Sequence, residues 1–167
     1  MKLLKQLFTA ALLMVSTASF AQSKVAHIEV QKLISEMPEV IAAQKEIAEL
    51  EKTYSTDLEN SVKEYQAKAQ TYAADAENKS EIINQKRRTE LEGIQQSLEQ
   101  FRQQAAQDLQ KKQVEMMRPL YEKARTAIEK VASAQGFDYV LDSSAGGSVI
   151  MSKGTDLMAD VKTELGF

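Results

Sequence analysis

Residues 47–105 read IAELEKTYSTDLENSVKEYQAKAQTYAADAENKSEIINQKRRTELEGIQQSLEQFRQQA, and the spacing of their apolar side chains decides the fold. From Ile47 the apolar or aromatic positions run Leu50, Tyr54, Leu58, Val62, Tyr65, Ala69, Tyr72 and Ala76, in steps of 3, 4, 4, 4, 3, 4, 3 and 4. That is a heptad seam with one extra step of four, a stutter that locally unwinds a supercoil. The stripe is narrow and thins to alanine, so the helix needs one partner along one seam and cannot be buried on all sides. A break follows at residues 75–81, where Asn78 can close one helix and Ser80 can cap the next. The seam then resumes at Ile83, Leu91, Ile94, Leu98, Phe101, Ala105, Leu109, Met116 and Leu120, with a further apolar set at Ala124, Ala127, Ile128 and Val131. Two seams separated by one break predict an antiparallel helical hairpin with its tip near residue 79. Its outgoing helix of about 40 residues would be about 60 Å long, at roughly 1.5 Å per residue.

Outward from that stretch, Pro38 suits the first turn of the outgoing helix, where its missing N–H costs nothing. Pro119 should kink the return helix where hairpin becomes body, and Gly136 should stop it. Gly93 and the stutter are candidate points of flexure. Lys24–Val30 reads as a strand with Ala26, Ile28 and Val30 on one face, and residues 31–37 as a short helix. Residues 137–142 (FDYVLD) read as a second strand, residues 143–147 (SSAGG) as a tight turn, and residues 148–152 (SVIMS) as the antiparallel partner of a β-hairpin. Thr155 or Asp156 can cap a last helix running to about Leu165, with Leu157, Met158, Val161 and Leu165 as its apolar face.

The first residues stand apart from this fold. Lys2 and Lys5 precede an apolar run from Leu7 to Val15, and Ser19-Phe20-Ala21 fits a small-x-small cleavage site, which predicts a secretory signal peptide over residues 1–21. The expected organisation is therefore a signal peptide (1–21), a first body segment (22–37), a hairpin arm (38–118) and a second body segment (119–167). Without Lys2 and Lys5, 19 basic residues face 24 acidic ones, a net charge of −5. An acidic chain of this kind is not a nucleic-acid binder by composition. With no cysteine, the chain has neither disulfides nor thiolate ligands. A small three-stranded body without tryptophan leaves sheet edges and one face uncovered, which predicts a homo-oligomer. Val25, Ile28, Val30, Phe137, Tyr139, Val140, Val149 and Ile150 are its candidate interface residues.

Candidate chemistry is sparse. His27 is the only histidine and has no set of ligands at metal spacing around it. Ser143 and Ser144 sit in ordinary turn chemistry without a base. No phosphate loop or dinucleotide fingerprint is present. These readings predict no catalysis, no metal and no cofactor. Two features of the hairpin could carry binding. Lys86, Arg87 and Arg88, beside Ile82 and Ile83, form a candidate client contact near the tip, although a solvated run is the plainer reading. From Lys63 to Glu92 six basic residues oppose six acidic ones, so only this triplet is basic. Met116 and Met117, with Tyr121, stand near the base and read as core filler.

Several segments carry a family resemblance: Lys24–Glu39 (KVAHIEVQKLISEMPE), Ala127–Asp142 (AIEKVASAQGFDYVLD), residues 148–152 (SVIMS) and Asp156–Leu165 (DLMADVKTEL). Together with the charged hairpin between them, the chain resembles the Skp/OmpH family of periplasmic chaperones over essentially everything after residue 21. The family often has threonine where this chain has Met158. The resemblance implies an α+β fold in which a small β-rich body trimerises and each subunit projects one helical hairpin as a tentacle around a central cavity. It also implies a periplasmic, ATP-independent holdase that encloses unfolded outer-membrane proteins. The best-known members are strongly basic and this chain is acidic with a neutral arm, so contact with lipopolysaccharide or a membrane surface is not favoured. The alternative from the residues alone is a structural or adaptor coiled coil of the cell envelope.

Overall fold

The computed structural model describes residues 23–167, so the expected signal peptide (1–21) lies outside the described residues. The described elements are β1 (Val25–Ile28), α1 (Val30–Glu36), α2 (Pro38–Ala74), a 3-10 turn (Ala76–Asn78), α3 (Glu81–Ala134), β2 (Tyr139–Asp142), β3 (Thr155–Asp156) and α4 (Met158–Leu165). Two compact units form: residues 23–36 with Lys123–Phe167, and Met37–Glu122.

In the first unit β1 is the central strand of a three-stranded sheet in the order β2-β1-β3, and both neighbours run parallel to it. Val25, Ala26, His27 and Ile28 stand opposite Tyr139, Val140, Leu141 and Asp142. The expected alternation holds for Ala26 and Ile28, each 1% exposed. Val30 does not continue the strand. It opens α1, because the chain needs partners for the free N–H groups of a new helix and finds them nearby. Asp142 Oδ1 accepts from Val30 N at 3.2 Å, and Ser144 Oγ accepts from Gln31 N at 3.1 Å. Burial pushes the Asp142 carboxyl up, but hydrogen bonds from the Ser144 hydroxyl, the Ser144 N–H and the Val30 N–H outweigh it and hold the group below its ordinary range.

The expected β-hairpin is overturned. Residues 148–152 form no strand, and the third strand is Thr155–Asp156. The reason is topological: β2 and β3 flank β1 on opposite sides and run the same way, so the chain between them must travel back along the sheet. The alternating run SVIMS is that return segment, a case where short apolar alternation does not separate a strand from a connection. The turn before it is real. Gly147 N donates to Ser144 O at 3.0 Å, and Gly146 takes φ +83°, a conformation that favours glycine.

Gly136, at φ +69°, ends α3 as expected. The N–H of Phe137 reaches back to Ala132 O at 2.9 Å, which closes the last turn. Asp156 Oδ1 accepts from Met158 N at 2.9 Å at the start of α4, where Leu157 and Val161 are fully buried. Leu33 and Ile34 of α1 and Ala124, Ala127, Val131 and Ala132 at the end of α3 complete the buried apolar set of this unit. Polar ties surround it: Lys130 Nζ to Glu164 Oε1 at 2.5 Å, Gln135 Nε2 to Asp160 Oδ2 at 2.6 Å, and Lys162 with Glu36.

In the second unit Met37 stands in extended conformation before Pro38, as a residue preceding proline should, and its carbonyl accepts from Val40 N at 3.0 Å. Met37, Val40 and Ala43 are buried. Ser80 is the expected cap of α3, its Oγ lying 3.4 Å from Ile83 N. Asn78 does not close α2. That helix ends at Ala74 with Asp75 as its last half-turn, and a short 3-10 turn carries the chain round without a positive φ. Pro119 lies inside α3, which continues through it to Ala134.

Leu157→Ala is expected to lower unfolding stability by about 2–4 kcal/mol in denaturant titration, the cost of emptying a fully buried leucine site. Asp142→Ala should cost about 1 kcal/mol by removing the cap of α1. Because the folded Asp142 carboxyl is held low, its contribution is present above the unfolded value, near pH 4, and is lost as pH falls below it. The wild type should therefore converge on the variant in acid, and a constant gap between them at all pH values would contradict the capping role.

Candidate functional site

The seam of the second unit is where sequence and geometry meet most closely. All nine positions named by periodicity, eight on α2 from Ile47 to Tyr72 and Ala76 in the 3-10 turn, are half-buried, and the residues between them are mostly exposed. On α3 the same holds for Leu91, Ile94, Leu98, Phe101, Ala105, Leu109, Met116 and Leu120. Contacts across the seam pair the two helices in antiparallel order. Tyr54 lies edge-on to Phe101 with ring centres 6.0 Å apart, and its hydroxyl donates to Asp108 Oδ2 at 2.6 Å. Nearer the turn, Tyr65 bonds Gln95, Lys68 Nζ reaches Glu90 Oε1 at 2.5 Å, and the Tyr72 hydroxyl donates to Glu90 Oε2 at 2.6 Å.

Ile83 is the exception. It is 40% exposed, and the positions that face α2 at this level are Asn84 and Arg87, both half-buried. Steps of three and four from Asn84 through Arg87 to Leu91 keep the heptad that a jump from Ile83 to Leu91 breaks, so the period held the signal while polarity hid it. Asn84 Nδ2 donates to the Ala76 carbonyl at 2.9 Å. The Arg87 guanidinium lies 4.6 Å from the centre of the Tyr72 ring and donates to Asp75 Oδ2 at 3.1 Å.

This placement divides the expected tip patch. Arg87 turns into the seam, Arg88 pairs with Glu81 at 2.5 Å, and Lys86 is exposed. The three do not form one basic surface, whereas Ile82, 71% exposed, and Ile83 do lie at the surface. Toward the other end of the unit an open groove of about 580 Å³ is lined by Ile47, Ala48, Val114, Met117, Arg118 and Tyr121 among others. Met117 fits the expectation of core filler, whereas Val114 and Tyr121 are about half exposed and supply apolar surface that periodicity alone did not flag.

In the first unit the candidate interface residues fall into separate places. Ile28 is in the buried core, Val30 opens α1, and Phe137 is half-buried with Lys24 Nζ 4.2 Å from its ring centre. Val140 and Val149 are half-buried. Val25 and Tyr139 face each other in register on the outer side of the sheet, 42% and 61% exposed, and Ile150 is wholly exposed in the return segment. Leu141 belongs with them, as alternation from Tyr139 requires, and Met151 beside Ile150 is also exposed. His27 on this side has its Nδ1 3.2 Å from Ser143 Oγ. Among the described residues no cluster of histidine, cysteine and carboxylates could hold a metal, and no helix is long and apolar enough to cross a membrane.

Hydrogen bonding to Asp108, reinforced by burial, raises the Tyr54 hydroxyl above its ordinary range, and bonding to Glu90 does the same for Tyr72. The stabilisation from both bonds is thus present below about pH 10 and is lost as pH rises through the raised values. In an ultraviolet phenolate titration, Tyr54→Phe and Tyr72→Phe should each remove absorbance from the high-pH end of the curve. Removal from its low-pH end would contradict these bonds.

Comparison with known proteins places this geometry. An OmpH-like structure from Caulobacter crescentus CB15, described as a candidate outer membrane chaperone, superposes with a TM-score of 0.76. The superposition covers 87% of this chain and 85% of that one at 12% sequence identity, a likeness of fold. No curated protein sequence gives a significant match. The family described as outer membrane protein (OmpH-like) matches residues 24–165. With that match running through both units, from β1 to the end of α4, the chain belongs to the OmpH-like family.

Proposed function

We propose that this OmpH-like chaperone is an ATP-independent periplasmic holdase, exported by a cleaved signal peptide, that works as a homotrimer. In this reading three bodies join through their sheets, and three helical hairpins serve as arms that enclose unfolded outer-membrane proteins in transit. The family supports a chaperone function in general and a non-enzymatic one. The observation that carries the finer reading is the distribution of apolar surface on the hairpin. Most of both helices outside the seam is polar, yet Ile41, Val114 and Tyr121 are each about half exposed, and the last two line one groove with Met117. A holdase without a nucleotide cycle must bind by many weak, reversible contacts, and an arm with adaptable apolar patches on a polar shaft supplies them.

The outer sheet face supports self-association. Val25, Tyr139 and Leu141 are contiguous in register and exposed, with exposed Ile150 and Met151 in the same unit. Contiguous apolar surface of this kind on a soluble domain marks an interaction site. The pairing of Arg87 with Asp75 and Arg88 with Glu81 argues against a lipopolysaccharide or membrane role for the tip. A structural spacer is less well supported. It would gain from an aliphatic seam along its full length, and here the seam nearest the turn is made of Ala69, Tyr72, Ala76, Asn84 and Arg87.

Dilution of a urea-unfolded outer-membrane β-barrel into the purified mature protein should give no turbidity near one oligomer per client. Undiminished aggregation at that ratio would end the holdase reading. Light scattering on the free protein should report three chains, and Tyr139→Asp with Leu141→Asp should shift it toward single chains. A monomeric wild type would remove the trimer from the account.

A further inference from the structure

The two halves of the α2–α3 seam are held by different forces. On both sides of Tyr54 the partners are large and apolar: Leu50, Leu58, Leu98, Phe101 and Leu109 are half-buried around the Tyr54–Phe101 contact. From Lys68 to the turn the seam has no leucine, isoleucine or phenylalanine on α2, and α3 offers Asn84 and Arg87 before its first apolar seam residue, Leu91, at the edge of this stretch. What joins the helices there is charge. Asp75 accepts from Arg87 at 3.1 Å and pairs with Lys79 at 3.2 Å, and Glu90 receives Lys68 at 2.5 Å and Tyr72 at 2.6 Å.

Arg87 joins these two carboxylates into one network. It bonds Asp75, lies over Tyr72, and adds its field to that of Lys68 at Glu90. One of its terminal nitrogens, Nη1, is buried with no hydrogen-bond partner among the described residues. Such an arrangement is stable while both carboxylates are charged and costly once Asp75 is neutralised, because the cation is then left against an aromatic ring without its one bonded anion.

We infer that residues 68–92 are an electrostatic clasp, a unit that opens separately from the rest of the hairpin when its carboxylates are neutralised or its charges screened. The opening does not require the apolar half of the seam to move, since no ion pair of the clasp reaches beyond Lys68 on α2 or Glu90 on α3. The charged groups facing its two acids are Arg87, Lys79 and Lys68. Glu64 adds its field at Lys68, and the Glu81–Arg88 pair flanks the network. Hydrogen bonds from Arg87 and then Lys79 hold Asp75 below its ordinary range, and bonds from Lys68 and then Tyr72 do so for Glu90. Lowered carboxylates stabilise the closed form above their unfolded values and cease to do so as pH falls through the lowered ones, so acid opens the clasp below about pH 4.

Asp142 titrates in the same acid range, so the test is made at neutral pH by hydrogen exchange on the full mature chain. Peptides from residues 68–92 and 47–62 are compared in low salt and in about 1 M NaCl, where the screening length falls to roughly 3 Å. They are compared again in Asp75→Asn with Glu90→Gln. Exchange in 68–92 should rise several-fold in both cases, with 47–62 unchanged. Arg87→Leu with Asp75→Ala, which puts an aliphatic side chain in the seam, should reduce the salt effect. Equal acceleration of both segments, or a distal segment indifferent to both salt and substitution, would overturn the clasp. The salt series on the unmodified protein decides the matter even where a variant folds poorly.

Discussion

Strand β1 pairs in parallel with β2, and a parallel pair can be closed only by a crossover connection. In most α/β units that crossover is one helix lying on the sheet. Here it contains α1, the whole of α2, the 3-10 turn and α3 before the chain returns at Tyr139. Fixing β1 beside β2 therefore obliges the chain that leaves after Ile28 to come back at Tyr139, and the two long helices lie between those points in sequence. The details around the sheet serve this closure. Asp142, at the end of the returning strand, caps α1 at the start of the outgoing chain, and the Lys24 side chain bonds the Gln135 carbonyl at 2.6 Å just after α3 ends. Departure and return are thus tied by hydrogen bonds as well as by the strand ladder.

The hairpin was legible because its signal is periodic and long. Nine successive seam positions, eight of them on α2, declared themselves by spacing alone, and the partner helix followed the same rule wherever its seam residue was apolar. The reading lost accuracy where the seam turned polar. Hydrophobic periodicity assigns Ile83 inward, but Arg87 stacks on Tyr72 and bonds Asp75, and its long side chain can fill a seam while its charge is met. Ion pairing likewise divides the basic triplet, since a sequence shows three adjacent cations and not which anions face them.

The sheet was less legible for a different reason. Residues 148–152 have the composition of a strand, and the two glycines before them have the composition of a hairpin turn. Local pattern cannot show that β1 already lies between the two remaining strands, because that fact belongs to pairing across most of the chain. Once β2 and β3 must both run parallel to β1, SVIMS becomes connection, and Ile150 is left fully in solvent. An isoleucine in that state, in the same unit as exposed Tyr139 and Leu141, is what the proposed trimer contact accounts for. Family membership, by contrast, was readable from the segments around the hairpin, Lys24–Glu39 and Ala127–Asp142, whose residues are fixed by caps, strands and core.

The central claim is that the hairpin is a client-holding limb, and the most direct measurement is where a bound client touches it. A photoactivatable side chain placed at position 114, in the groove with Met117 and Tyr121, should crosslink to an unfolded outer-membrane β-barrel during a holding reaction. The same group at position 164, on α4 in the other unit, should crosslink far less. Client crosslinks that are absent from position 114, or that favour position 164, would contradict the account.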